Sequence, residues 1–373
     1  MNVKLLRFFD RYIMGFFILI LFWLKYFFLG KKEKIIHRPQ KILIIRLWAL
    51  GSSILTFPMI KQLEDYYGKD VQYDLLASSR NMGVFKHQGY FHAIYNLFSW
   101  KDIFNLLCGF KTYDIVVDAE EYFFVSALFA LWTGKITIGY TNICVRNLAY
   151  NCGIMYNDKQ HSLLTALDLI QNIGVPCVIP QRMEPLKYSD KDTRKVDTFL
   201  SEIPGKLICM HTGGAETAKE RAWPTHKRVA LIKELIKKHD DILIILSGTH
   251  FEKQVVQTIV DSLDDMESKK VKNICGMFNL YEFAYLLQKC TLMISNDTGP
   301  MHLGAAMGVK TIGLFGPELP NKFGPWPLDK NVGLYKGDGN ACIKVHLAIW
   351  RKDTHYWVDK ITVDDVLAHL HSL

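Results

Sequence analysis

Ser295–Gly308, SNDTGPMHLGAAMG, is the stretch whose reading decides the fold. It follows an apolar run, Thr291–Ile294, of the kind that forms a buried parallel strand. Asp297 or Thr298 stands where a helix cap is needed. Gly299-Pro300 occupies the first turn, where proline's missing amide hydrogen costs nothing. Gly304, Ala305, Ala306 and Gly308 let that helix lie close to a sheet, and Lys310–Pro317 reads as the next strand, ended by Gly-Pro. A helix whose amino end points out of the carboxyl edge of a sheet is an anion site, because unpaired amides and the helix dipole both face the ligand. The stretch therefore predicts a phosphate or pyrophosphate site. A well-capped helix of any α/β domain has the same local pattern.

Apolar runs and helical spacings alternate on both sides of this stretch. Lys41–Arg46, Val71–Leu76, Ala93–Leu97, Tyr113–Asp118 and Lys135–Gly139 read as strands, with helices such as Ile54–Tyr67, Tyr122–Trp132 and Lys159–Ile173 between or after them. Gly174–Tyr188 holds Pro176, Pro180 and Pro185 and little periodicity. The alternation then restarts. Lys206–His211, Asp241–Ser247 and Val271–Ile274 read as strands, and Asp190–Ser201, Lys227–His239, His250–Leu263 and Leu280–Lys289 as helices. This is an α/β chain with two mostly parallel, doubly wound domains. The expected boundaries are 1–36 for a hydrophobic, basic segment, 37–174 for the first domain, 175–189 for a linker, 190–345 for the second domain and 346–373 for a tail. A short amphipathic helix at Asp364–Leu370 is expected to pack back on the first domain. Two such halves predict a ligand crevice along the carboxyl edges of their sheets.

With 373 residues and 49% hydrophobic content, two sizeable cores are affordable. Residues 1–41 hold nine Lys or Arg against two Asp or Glu, a net of +7; the other 332 share only +1 of the formal +8. A nucleic-acid-binding body is basic along a face, so no nucleic-acid partner is expected. The basic excess points instead to an anionic membrane surface. Tyr12–Leu29 is nearly all apolar or aromatic, with Lys25 its only charge, and no small-residue cleavage site follows. The expectation is a retained anchor at residues 12–29, spanning or lying deep in the interface, with a helix packed on the body as the alternative. The eight cysteines show no CxxC pair, so reduced thiols of a cytoplasmic protein are expected, several of them buried, with neither zinc nor disulfides.

Three further stretches carry candidate chemistry. His211-Thr212-Gly213-Gly214-Ala215 is a Gly-rich loop after a strand, suited to bring amides to a phosphate or sugar hydroxyl. Arg221 follows, where it either grips a diphosphate by a two-pronged contact or is a solvated loop residue. Glu252 either accepts bonds from a ribose hydroxyl or is a surface helix residue, and His302 either donates to a phosphate or is a buried histidine. Asp297 binds the transferred sugar or only caps the helix. Asp118-Ala119-Glu120-Glu121 lies just beyond a strand, so Asp118, Glu120 or Glu121 is a candidate general base on an acceptor hydroxyl, or an ordinary exposed acid. There is no P-loop, HExxH, GxSxG, GxGxxG after the first strand, or DxD in a metal-binding setting. No metal or cofactor is expected. Leaving-group charge then falls to helix amides and cationic side chains.

Together, SNDTGPMHLGAAMG with TIGLFGP, the loop MHTGG followed by RAWP, and KILIIRLWALGSSILTFP at Lys41–Pro58 resemble glycosyltransferase family nine, the ADP-heptose:lipopolysaccharide heptosyltransferases. The resemblance covers roughly Lys41–Trp326. It implies a GT-B fold and metal-independent inverting transfer from a nucleotide-diphospho-sugar to a lipid-linked saccharide. Carried over by position, Thr298, Gly299 and His302 contact the donor diphosphate, Asp297 the donor, Arg221 a phosphate and Glu252 the ribose. The family's first loop usually reads Gly-Asp, and that Asp is its proposed base. Here it reads Gly51-Ser52. Serine is no base at neutral pH without help. Either a nearby carboxylate (Asp118, Glu120 or Glu121) takes the role, or the acceptor chemistry differs, or the chain transfers poorly and is a nucleotide-sugar-binding scaffold of envelope-glycan assembly. An epimerase of the same architecture is a third, weaker reading.

Overall fold

The computed structural model describes residues 9–29, 36–201, 203, 205–213, 221–339, 343–344, 349–350 and 357–370. The chain divides into two compact units, Met1–Ile179 with Ile343–Trp350, and Pro180–Cys342 with Arg351–Leu373.

In the first unit, strands β1 (Lys41–Ile45), β2 (Gln72–Ala77), β3 (Ala93–Asn96), β4 (Tyr113–Asp118), β5 (Gly134–Tyr140) and β6 (Cys152–Ile154) form one sheet in the order β3-β2-β1-β4-β5-β6. Every pairing is parallel. Ile42, Leu43, Ile44 and Ile45 are all fully buried. A strand covered on both faces has no solvent side, so it is an unbroken apolar run. The main helices are α1 (Gly15–Leu29), α2 (Leu50–Leu55), α3 (Phe57–Tyr67), α4 (Trp100–Cys108), α5 (Phe124–Thr133) and α6 (Ser162–Gln171), with single turns at Met82–Phe85 and Cys144–Asn147. Strand β6, three partly exposed residues at the sheet edge, has no sequence run strong enough to announce it.

Helix α1 follows a wide turn at Asp10–Met14 and docks on α5. Ile18 is fully buried against Phe124, Ala127 and Leu131, with Met14 and Leu21 beside it. Asp10 Oδ2 and Oδ1 accept the backbone N–H groups of Phe124 and Val125, each at 2.9 Å. Phe123, at the N-cap of α5, has no side chain able to do this. Among the described residues no helix is long and apolar enough to cross a membrane. The spanning form of the predicted anchor finds no support here, and one side of the helix packs on the protein body.

In the second unit, β7 (Lys206–His211), β8 (Ile242–Ser247), β9 (Val271–Asn273), β10 (Leu292–Asn296), β11 (Lys310–Phe315) and β12 (Val332–Tyr335) pair in parallel in the order β12-β11-β10-β7-β8-β9. Its main helices are α7 (Asp190–Leu200), α8 (Thr225–Lys238), α9 (Lys253–Val260), α10 (Leu280–Gln288), α11 (Gly299–Ala306) and α12 (Val363–Leu367). The helix expected from His250 opens as a tighter turn over His250–Glu252. The tail is also corrected. Val358, Ile361, Val366 and Leu370 join the core of this unit. Buried Trp223 gives them an apolar wall, and its indole N–H donates to Ile361 O at 3.0 Å. Of the cysteines, Cys209, Cys275 and Cys290 are buried and Cys108 and Cys144 exposed.

Asp10→Ala is expected to lower stability by about 1 kcal/mol, the usual loss for a helix cap. A urea unfolding curve with a reduced midpoint and unchanged slope checks it.

Candidate functional site

The second sheet changes direction between β7 and β10. Strands β8 and β9 extend it one way, β11 and β12 the other. Parallel register sets Ser295 opposite His211, and His211 opposite Ser247. The loops leaving β7, β8 and β10 therefore emerge at one level, at the switch point where such sheets bind ligands. They are tied together. Thr212 N–H donates to Ser247 O at 3.0 Å, Asn296 Nδ2 to Gly213 O at 3.3 Å, and Trp223 N–H to Asn296 Oδ1 at 3.2 Å.

Helix α11 starts here, with Thr298 at its N-cap and Pro300 in its first turn. Thr298 makes no side-chain cap bond; its hydroxyl donates to Asn296 O at 3.3 Å. Asp297 does not cap the helix either. Its Oδ2 pairs with Arg221 Nη1 at 3.4 Å, and the same nitrogen donates to Asp297 O at 3.1 Å. Burial raises the Asp297 carboxyl above its ordinary value, against the pull of Arg221. Thr298, Gly299 and Pro300 are partly exposed, whereas His302 is buried one turn along. The arrangement is an open helix end with a guanidinium fixed beside it, which is the composition of an anion site.

Glu252 lies on the β8 side. Its Oε2 accepts Thr249 N–H at 2.7 Å and Thr249 Oγ1–H at 2.8 Å, so it caps the His250–Glu252 turn. It also faces Gly213: a Cβ at Gly213 would stand 2.6 Å from Glu252 Oε2 and 2.9 Å from His211 Nε2. A side chain there would require Glu252 and His211 to move. His211 is held by Ser247 Oγ at 3.0 Å, and burial pushes its imidazole down to about 4, with Glu252 opposing and Arg228 adding to the shift. Arg228, on α8, is buried, and its Nη2 meets no hydrogen-bond partner among the described residues. Burial lowers it to about 10 while Glu252 holds it up. The cluster of His211, Glu252 and Arg228 was not legible in the sequence, where Arg228 looks like one more polar residue of an exposed helix.

The carboxylates of the first unit divide sharply. Asp118 Oδ2 accepts from Tyr150 OH at 2.6 Å, Ser126 Oγ at 2.8 Å and Arg146 Nη2 at 3.1 Å; Oδ1 accepts Glu120 N–H at 3.0 Å. Asp118 and Arg146 side chains are both fully buried. An acid so enclosed is a poorer candidate for the base than one that faces solvent. Glu120 is also buried. Its Oε1 accepts Leu47 N–H at 2.6 Å and Trp48 N–H at 3.1 Å. Burial pushes its carboxyl up to about 7, opposed by Arg46 and reinforced by Glu121. Glu121 pairs with Arg46 Nη1 at 3.2 Å and keeps 13% of its side chain exposed. It is the accessible member of the three.

Glu120 thereby holds the loop that precedes Ser52. Ser78 Oγ donates to Leu47 O at 2.6 Å, and Asn81 Nδ2 to Arg46 O and Ser53 Oγ, each at 2.9 Å. Between these ties Ala49 adopts φ 64°, ψ 138°, a backbone conformation costly for a residue with a Cβ. Ser52, partly exposed, sits in the first turn of α2. Of the predicted site residues, Thr212, Gly213, Arg221, Asp297, Thr298, Gly299 and His302 fall around β7 and β10, with Glu252 beside them; Gly214 lies outside the described residues. Among the described residues no group of three or more His, Cys, Asp or Glu side chains is placed to hold a metal ion.

The sequence pattern described as Glycosyltransferase family 9 (heptosyltransferase) matches residues 106–345. Lipooligosaccharide heptosyltransferase 2 of Campylobacter jejuni is 28% identical over 168 residues, 45% of this chain and 50% of that protein. Against the Haemophilus influenzae protein of the same name the shares are 52% and 53%, so this chain spans about half the length of these relatives. Lipopolysaccharide core heptosyltransferase OpsX of Haemophilus influenzae is 24% identical over 311 residues, 80% of this chain and 85% of that one. Two solved structures share the fold. The Escherichia coli ADP-heptose lps heptosyltransferase II superposes with TM-score 0.70 at 19% identity, covering 88% and 97% of the two chains. The glycosyl transferase family 9 structure from Veillonella parvula superposes with TM-score 0.73 at 18%, covering 88% and 95%.

Two outcomes are expected. Between pH 6.5 and about 4 the unfolded chain binds a proton that folded His211 refuses. Stability therefore falls as pH drops through that window and is level on this account below it. Unfolding curves from pH 7 to 4 test this, and His211→Gln flattens the trend. Arg146→Met leaves Asp118 buried without its countercharge and is expected to cost about 3–5 kcal/mol in the same assay.

Proposed function

Because the chain belongs to glycosyltransferase family 9, the heptosyltransferases, we propose that it moves a heptose-like sugar, with inversion and without a metal, from an ADP-linked donor to a lipid-linked envelope saccharide such as the lipopolysaccharide core. The setting is the cytoplasmic face of the bacterial inner membrane, with the N-terminal segment at the lipid surface.

The observation that carries this reading is Arg221 fixed beside the open amino end of α11 at the switch point of the second sheet. In the proposed reaction the acceptor hydroxyl oxygen attacks the anomeric carbon as the bond to the diphosphate breaks. The electron pair leaves with the nucleoside diphosphate, whose growing charge the α11 amides, Arg221 and His302 stabilise. Glu252 takes a ribose hydroxyl beside Gly213, on the β8 side of the site. Asp297 meets the sugar.

The proton of the acceptor goes to Glu121. Ser52 cannot take it, Asp118 is enclosed, and Glu120 is buried with its Oε1 held by the amides of Leu47 and Trp48. A buried carboxylate beside Glu121 and a guanidinium that orients it are suitable neighbours for a base. A second reading, a nucleotide-sugar-binding scaffold without transfer, is favoured by Ser52 alone.

Titration with ADP, UDP and GDP tests the donor site: ADP is expected to bind, and Arg221→Ala to weaken it by about tenfold, the scale of one charge-assisted contact. Binding of none of the three overturns the reading. Glu121→Gln is expected to lose turnover by about 100-fold or more with ADP affinity intact, while Ser52→Ala retains it. Nucleotide binding with no transfer to any lipid-linked saccharide selects the scaffold instead.

A further inference from the structure

The layer of helices on one face of the first sheet carries an aromatic surface that neither the donor site nor the candidate base uses. Helix α5 is its middle, buried through Phe124, Ala127, Phe129 and Leu131. Helix α1 packs on α5 and on the Cys144–Asn147 turn, towards β6; α4 packs on α5 and β3, on the other flank. Among the described side chains, each flanking helix buries one side only. Ile18 of α1 and Leu106 of α4 point into the body. On their outer sides Phe16 is 60% exposed, Trp23 55%, Trp100 89% and Phe104 66%. Phe110, also exposed, stands edge-on to Trp132 with ring centroids 4.8 Å apart, and Trp132 Nε1–H donates to Leu107 O at 2.8 Å, so the α4 flank is held rigidly to α5.

We infer that α1 and α4 together form a docking face for a bilayer surface rich in anionic headgroups, with both helices lying in the plane of the membrane. The inference deepens the proposed function, on whose membrane setting it rests. Large aromatic side chains exposed together in one layer are costly in water and mark an interaction face. Trp and Phe at a membrane interface bury their rings at the headgroup boundary. Charge selects the occupant. The first 41 residues carry a net +7 against +1 for the other 332, and exposed Arg11 and Lys101 stand at the aromatic flanks. Lipid headgroups of the opposite sign complement this; a second copy of the same basic segment does not. Helix α1 is anchored to the protein on its inner side by Ile18 and by the contacts of Asp10, so in-plane contact leaves the fold intact where insertion across the bilayer would strip it from α5.

The test is co-sedimentation of the full chain with vesicles of phosphatidylethanolamine and phosphatidylglycerol, against neutral phosphatidylcholine vesicles. Binding is expected to the anionic vesicles and to weaken with salt. The double variant Trp100→Ser/Phe104→Ser, with α1 untouched, is expected to lose about tenfold or more in vesicle affinity, from the apolar area withdrawn. Its thermal unfolding is expected to match wild type, because both side chains are exposed. Vesicle binding unchanged in the double variant overturns the inference, as does a lipid-free dimer that the double variant converts to monomer. ADP titration of the same samples separates the two claims: loss of vesicle binding with ADP affinity intact bears on the docking face alone, and vesicle binding without ADP affinity on the donor site alone.

Discussion

Parallel pairing in fixed register is the constraint on which the rest depends. In the second unit, Ser295, His211 and Ser247 lie side by side across three adjacent central strands. Once those pairings form, three loops must leave the sheet at the same height. Nothing about Arg221, Asp297 or Glu252 needs a special geometry beyond that. Side chain to backbone bonds then lock one loop to the next, as Asn296 does for Gly213 and Trp223. The helix after β10 starts from a platform that is already rigid, so its amides need little reorganisation to meet a charge.

The first unit applies the same register to a different end. Ile45 pairs with Asp118, which brings the loops after β1 and β4 together. Here the ties are ionic. Two guanidiniums, Arg46 and Arg146, are buried with three carboxylates around them. Burying charges is expensive unless they are paired and hydrogen-bonded, and each acid is engaged to a different degree. Asp118 stabilises the interior, Glu120 holds the loop that contains strained Ala49, and Glu121 keeps an edge towards water. One short acidic stretch thus supplies a core ion pair, a loop clamp and a solvent-facing group.

Much of this was legible in the residues. The buried strands were readable because a strand covered on both faces is an unbroken apolar run, as in Lys41–Ile45 and Ile242–Ser247. The helix at Thr298 was readable because Gly-Pro and the small residues after it are local signals. Edge strands β6 and β12 were not: each is only three or four residues long, and Gly153 and Gly333 interrupt the apolar run. The ranking of Asp118, Glu120 and Glu121 was not readable either. It is decided by Ser126, Arg146 and Tyr150, which arrive from 8, 28 and 32 residues away. Asp10 is the extreme case: its partners are 114 and 115 residues distant, and nothing local distinguishes it from a surface acid.

That long-range contact gives the N-terminal segment a mechanical character. Asp10 grips the first amides of α5, and Ser126 of the same helix donates to Asp118. A leash only limits how far its cargo drifts. This one is bolted to the frame at Phe124 and Val125, next to the Ser126 hydroxyl that braces the buried ion pair. A load on Asp10 is therefore borne by the interior of the first unit, and Asp10 and the domain behave as one solid part under tension.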